Sequence, residues 1–264
     1  MAMQRLYRFY TGFIHIAVST ANRWRFGLGS IASLFLLTFF AAPVAAGTFT
    51  PPEGCTGYMT VQMVGCTVSN HYICTGDAPG DKWRADFAQN GKVFESRINF
   101  EAEWMESINY NPSSRQTLEL PARDRASFSE LVARGIDSYD FSTMGDDGVR
   151  ENITGTDKLT GKTIVIDGVA LKQTEFDAHA RLDDGTTKWH SRGNEFIDVE
   201  KRIFVSGRGE WEGDDGVVLP YDSTPMAFVF PGEPGFFTST PIFDCDPVLS
   251  QAETPVLISA PQGE

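Results

Sequence analysis

Between residues 80 and 230 apolar and polar positions alternate with a period of two over most of the chain, which predicts strands. Trp83, Ala85 and Phe87 alternate with Lys82, Arg84 and Asp86, as on a strand with one buried face. Asn90-Gly91 offers a tight hairpin turn, and residues 94–100 and 104–110 keep the period. A single helix stands out from the series. Ser127 with Glu130 forms a capping box, Phe128, Leu131 and Val132 supply an apolar side, and Gly135 stops it; Pro121 stands ahead of its start. A meander follows, with strands expected at 149–156, 162–166, 169–182, 186–197, 202–211 and 217–230, the last interrupted by Pro220 and Pro225. Asp167-Gly168, Asp184-Gly185 and Asp215-Gly216 mark hairpin turns between them. Asp-Asp-Gly recurs from Asp146, Asp183 and Asp214, and turn chemistry explains it better than calcium, because no further oxygen ligands follow at fixed offsets. The fold class is therefore mainly β, an antiparallel meander that could curl into an open or half barrel, with one or two short helices and α+β at most.

The hairpins predict side-chain neighbours. With Asp167-Gly168 at a tip, Ile166 faces Val169 and Ile164 faces Leu171. A two-residue turn at Asp184-Gly185 places Leu182 opposite Thr187, Ala180 opposite Trp189 and Phe176 opposite Gly193. The same register puts His179 opposite His190 and Asp177 opposite Arg192, all on one face. A three-residue turn would shift the register and lose that pairing. The apolar parity also changes between Leu171 and Phe176, which calls for a bulge near Gln173.

The two histidines are the nearest approach to a chemical constellation. They read either as half of a metal site or proton-sensitive clasp, or as two polar residues on the solvated side of a sheet. A metal site needs three or four ligands, and the nearby carboxylate, Asp177, is expected to pair with Arg192. The solvated-face reading therefore leads, and no metal or cofactor is expected.

Composition and charge change the picture at the ends. Arg5, Arg8, Arg23 and Arg25 precede an uncharged stretch from Phe26, and Val44-Ala45-Ala46 closes it with the small residues of a cleavage site. Residues 1–46 thus read as an export signal, with an uncleaved inner-membrane anchor as the alternative. Residues 47–245 read as a single disulfide-stapled β-rich domain, and the proline-bearing residues 246–264 as a disordered tail. The expected location is periplasmic or secreted, with no membrane span after cleavage. The chain carries a net charge of −13, and none of its 35 acids lies in the leader. That argues against nucleic acid as a partner, since phosphate backbones need clustered positive charge. Cys55, Cys66, Cys74 and Cys245 lie in the exported part, where thiols oxidise. A turn at Ser69-Asn70-His71 would bring Cys66 to Cys74 and leave Cys55 for Cys245.

Catalytic signatures are missing: no G-x-S-x-G elbow, phosphate loop or H-E-x-x-H occurs. Glu101, Glu103 and Glu106 beside Trp104 could serve a glycosidase, although alternation along a strand suits a wet face better. Trp189 and Trp211 could stack on a sugar, but core packing suits them better. The loop 231–235, between Phe230 and Phe236-Phe237, is a partner site if its phenylalanines are exposed and a lid if they are buried. The expected architecture resembles the half-barrel carriers of lipids and lipoproteins in bacterial envelopes, in shape alone. The expected function is a non-enzymatic exported envelope protein that binds a lipid-like apolar ligand or a protein partner in a curved sheet. A glycan hydrolase using paired carboxylates and a purely structural envelope module are the alternatives.

Overall fold

In the computed structural model, which describes residues 47–245, the segments predicted as strands are extended, although 202–211 is split in two, and further strands form at Cys55–Met63, Thr67–Cys74, Ser113–Asp124 and Ile136–Gly145. The first half contains β1 (Cys55–Met63), β2 (Thr67–Cys74), β3 (Lys82–Ala88), β4 (Gly91–Ile98), β5 (Trp104–Tyr110) and β6 (Ser113–Asp124). Helix α1 (Phe128–Arg134) follows. The second half contains β7 (Ile136–Gly145), β8 (Arg150–Ile166), β9 (Val169–Arg181), β10 (Thr187–Asp198), β11 (Ile203–Val205), β12 (Arg208–Gly213), β13 (Val218–Asp222) and β14 (Pro225–Val229). The leader read at residues 1–46 and the tail read at 246–264 lie outside the described residues. Among the described residues no helix is long and apolar enough to cross a membrane.

The strands form one open antiparallel sheet in the order β13-β12-β10-β9-β8-β7-β6-β5-β4-β3-β2-β1-β14, with β11 paired to β10. Its two edge strands, β13 and β14, are joined by Ser223-Thr224 alone, so the ribbon curls until its edges meet at that corner. There Val64 N–H donates to Thr224 O at 3.0 Å and Ser223 N–H to Gly207 O at 2.9 Å. The expected strand at 217–230 is thus two strands on opposite edges. Asp222 Oδ1 turns the chain between them by accepting from Thr224 N–H at 3.0 Å. The expected strands 149–156 and 162–166 are one strand, β8, whose register breaks between Leu159 and Thr163. Thr160, Gly161 and Lys162 bulge opposite Gln173, and the parity change in β9 falls there, as its apolar pattern required.

The turns explain both agreements and departures. Asp167 and Gly168 both have positive φ (46° and 80°), the two-residue geometry that matches strand twist. Ile166 accordingly faces Val169, and Ile164 faces Leu171. The three Asp-Asp-Gly sequences share a longer turn. Gly148, Gly185 and Gly216 take positive φ, and the second aspartate accepts from the N–H two residues on: Asp147 from Val149, Asp184 from Thr186 and Asp215 from Val217, at 2.8–2.9 Å. At Asp184-Gly185 this replaces the expected two-residue turn, so Thr187 faces Arg181 instead of Leu182. A bulge between Thr187 and Trp189 then takes up one residue and restores the expected register, with Trp189 opposite Ala180.

Helix α1 starts and ends where the sequence places it. Ser127 Oγ accepts from Glu130 N–H, and Gly135 caps the C-terminus at φ 81°. The reciprocal half of the capping box is absent. Ser127 N–H donates to Asp137 Oδ2 at 2.8 Å, while Glu130 pairs with Arg134 one turn on.

Side chains fill the curl. One cluster draws Met59, Val61 and Phe228 from one edge of the sheet together with Phe128 and Leu131 of α1 and Phe196, Ile197 and Phe204 from the other half. A second joins Trp104, Phe141, Ile153, Phe176 and Trp189. Here aromatics sit on glycines across the ladder. Tyr139 lies over Gly155 and Tyr221 over Gly209, and a Cβ on either glycine would come to 2.6 Å from the tyrosine side chain. Gly155→Ala is expected to cost about 1–3 kcal/mol, read as a lower denaturant midpoint, because the ring must leave its seat. An unchanged midpoint would mean that Tyr139 does not rest there.

A third cluster (Val68, Tyr72, Ala85, Phe87, Phe237) covers the opposite face of β2 and β3, so β3 is not the half-buried strand its alternation predicts. Arg84 and Asp86 are buried too, 3.2 Å apart, with Ser69 Oγ donating to Asp86. The cover is the C-terminal segment. Phe237 N–H donates to Thr60 Oγ1 at 2.8 Å, Asn70 Nδ2 donates to Thr238 O at 2.8 Å, and Ile242 N–H donates to Gln62 Oε1 at 3.1 Å. Phe237 is buried and Phe236 partly so, which makes the loop 231–235 part of a lid.

The disulfides are Cys55–Cys74 and Cys66–Cys245, which corrects the expected pairing. Ser69-Asn70-His71 is not a turn but the buried middle of β2. The β1–β2 turn lies at Gly65 and Cys66, both with positive φ (76° and 56°). Cys55 and Cys74 therefore face each other at the open end of the hairpin, while Cys66 at its tip is bonded to Cys245 of the C-terminal segment, which lies as a strap across this face. Cys66 N–H donates to Phe243 O at 3.0 Å beside that bond.

Candidate functional site

The predicted histidine pair forms. Along β9 the positions Phe176, Ala178 and Ala180 point inward, so Asp177 and His179 point outward. Along β10 Trp189 and Ser191 are buried, which turns His190 and Arg192 out. The ladder sets His190 opposite His179 and Arg192 opposite Asp177. The two imidazoles stack with ring centroids 3.9 Å apart and planes 10° apart. Both Nε2 atoms aim at one oxygen, Asp177 Oδ1, at 2.9 Å from His179 and 3.2 Å from His190. The Nε2–H tautomer of each ring satisfies that carboxylate.

One expectation about this face is overturned. Arg192 does not pair with Asp177. It lies between two strands, and its guanidinium turns to Glu210 of β12, donating from Nη2 at 2.7 Å and Nε at 3.1 Å. Asp177 is thereby left to the histidines. Glu212, opposite His190 on β12, brings Oε2 to 3.9 Å from His190 Nδ1. Among the described residues, the ligand atoms of Asp177, His179 and His190 lie within 4.8 Å of one another, close enough to hold an ion.

Burial, then the neighbouring imidazole and Arg181, lower the pKa of His179, while Asp177 opposes them. In the folded protein His179 is expected to titrate below 6.5, which NMR of its ring protons would read. A histidine depressed on folding stabilises the fold above its unfolded pKa, and that contribution fades as pH falls below about 6.5. Asp177→Asn should move the His179 midpoint further down, since it removes the one group that favours the charged ring.

The three glutamates named as possible acids are each held by cations. Glu103 is fully buried, accepting from Arg125 Nε at 2.9 Å and Asn99 Nδ2 at 2.9 Å. Glu106 lies 2.5 Å from Arg115 and 3.6 Å from Arg97. Glu101 accepts from Ser129 N–H at the start of α1 and from Arg202 Nη2 at 2.9 Å. Trp189 packs in the second cluster with Nε1 donating to Glu151, and Trp211 packs against the same cluster.

Two features escaped the sequence reading. Asp157 is buried, shares its inward parity with Ile153 and faces Asp137 across the ladder. Asp157 Oδ1, Tyr139 Oη and Thr174 Oγ1 have no hydrogen-bond partner among the described residues. Burial, with Asp137 adding to it, pushes the Asp157 carboxyl well above the usual carboxylate range. The strand parity alone could have found it. The other is a cavity of about 20 Å³ lined by His71, Arg84, Ser96 and Phe204, room for one water. There burial, with Arg84 adding to it, pushes the His71 imidazole down to about 3. Comparison of the chain with protein-family models, curated proteins and solved structures finds no match.

Proposed function

We propose that this is an extracytoplasmic, non-enzymatic binding module whose partner is a protein met at the outer surface of the sheet. Two disulfides support a location outside the cytoplasm, in the periplasm or secreted after loss of the leader. The observation that carries the choice of a protein over an apolar ligand is the filled curl. Met59, Phe128, Leu131, Phe196 and Phe228, drawn from the helix and both ends of the sheet, occupy the space that a lipid would need. The arginine partners of Glu101, Glu103 and Glu106 weigh against a hydrolase, since a general acid must be free to hold and release a proton.

Native mass spectrometry of the protein recovered from the cell envelope tests the reading. The expected result is the mature chain without a lipid adduct. Photoreactive residues placed at Thr156 and Lys158, exposed on the outer face of β8, should then yield a discrete protein adduct in cells. A bound lipid, or glycan turnover by the purified chain, would overturn it.

A further inference from the structure

We infer that Asp177, His179 and His190 form a binding site for one late first-row divalent ion of the zinc, nickel or copper class on the outer face of β9 and β10. Two imidazoles and a carboxylate are the donor set that such ions prefer. Their separations suit it. Donor atoms around a tetrahedral ion with bonds of about 2.0–2.1 Å lie roughly 3.3 Å apart, and Asp177 Oδ1 already stands 2.9 Å and 3.2 Å from the two Nε2 atoms. The donors sit on two interior strands whose ladder fixes their backbones, so binding requires the side chains alone to rearrange.

The surroundings favour a cation. The guanidinium that the register sets against Asp177 is hydrogen-bonded to Glu210, which leaves the Asp177 carboxylate facing the two imidazoles. Glu212 stands behind His190, its Oε2 3.9 Å from Nδ1 and outside hydrogen-bond distance; a small turn of the ring on binding, with the proton moved to Nδ1, would let that carboxylate accept it and orient the ligating imidazole. The histidine side chains are 32% and 17% exposed, so an ion reaches them from solvent and a fourth position stays open to water. Parallel rings cannot both hold one ion in their planes. Binding must swing them apart about Cβ–Cγ, and the stacked pair in the ion-free protein should give way to a splayed one.

The test uses the untagged full chain with its disulfides intact, titrated with zinc sulfate and nickel sulfate by calorimetry, with stoichiometry from native mass spectrometry. One ion per chain is expected, with displaced ring-proton signals for His179 and His190. His179→Gln, His190→Gln and Asp177→Asn should each weaken binding by at least roughly tenfold, and Glu212→Gln by about tenfold. These are surface positions, and unchanged melting of each ion-free variant shows that the fold persists. No uptake by the wild-type chain at near-millimolar ion overturns the site. Equal uptake by wild type and the His179→Gln/His190→Gln double variant overturns it as well, since the ion would then sit elsewhere.

Discussion

Replacing Cys66 and Cys245 together by serine is expected to lower the unfolding free energy by about 5 kcal/mol, while the same change at Cys55 and Cys74 costs about 3 kcal/mol. The difference follows from loop length in the chain-entropy account: the first bond closes a separation of 179 residues and the second one of 19. The long-range bond has a further consequence. It holds the end of the strap that lays Phe237 over Val68, Tyr72 and Phe87. Without it, the strap keeps its packing and its hydrogen bonds, among them those to Thr60, Gln62 and Asn70. The double variant should therefore be cut by protease between residues 236 and 245 well below its melting temperature and should bind an apolar dye there. The Cys55/Cys74 variant should resist cutting in that segment. Equal losses in the two variants, or equal cutting, would show that the strap is held by packing alone.

Asp157→Asn is expected to stabilise the protein at neutral pH by about 1–3 kcal/mol, an unusual sign for a change in a core. Asp157 is buried in a place that favours the protonated acid, so its folded pKa lies well above that of the unfolded chain. Below the unfolded pKa near 4 both states hold the proton and the group is neutral to stability. As pH rises, the unfolded state releases the proton first, and the folded state loses about 1.4 kcal/mol per pH unit until its own titration is passed. Asp137, pushed up to about 6 by burial, contributes with the same sign between its unfolded and folded values. Wild type should thus lose stability relative to Asp157→Asn as pH is raised from 4 to 8, read from denaturant midpoints at several pH values. A variant less stable than wild type at every pH would mean that the Asp157 carboxylate is ionised and paired in the fold.

The division between what was legible in the sequence and what was not follows the range of the interactions. Period-two alternation and turn residues act between chain neighbours, so they specified the strands from Lys82 to Tyr110, most of the meander after Arg150 and the helix from Ser127 to Gly135, but not β1, β2, β6 or β7. They even brought His179 opposite His190, although the turn differs from the expected one and a bulge beside Trp189 corrects it. An interior strand has two neighbours, however, and its own sequence does not say which one a side chain will choose. Arg192 turned to Glu210 and left Asp177 to the histidines, and that choice made a candidate ligand set from a pair of solvated rings. Cys66 found Cys245, and Asp157 lost its access to water, only because the ribbon curls and a distant segment lies across it. Local patterning determined most of the strands and the parity of their side chains; the curl of the sheet decided which faces are buried and which charges meet.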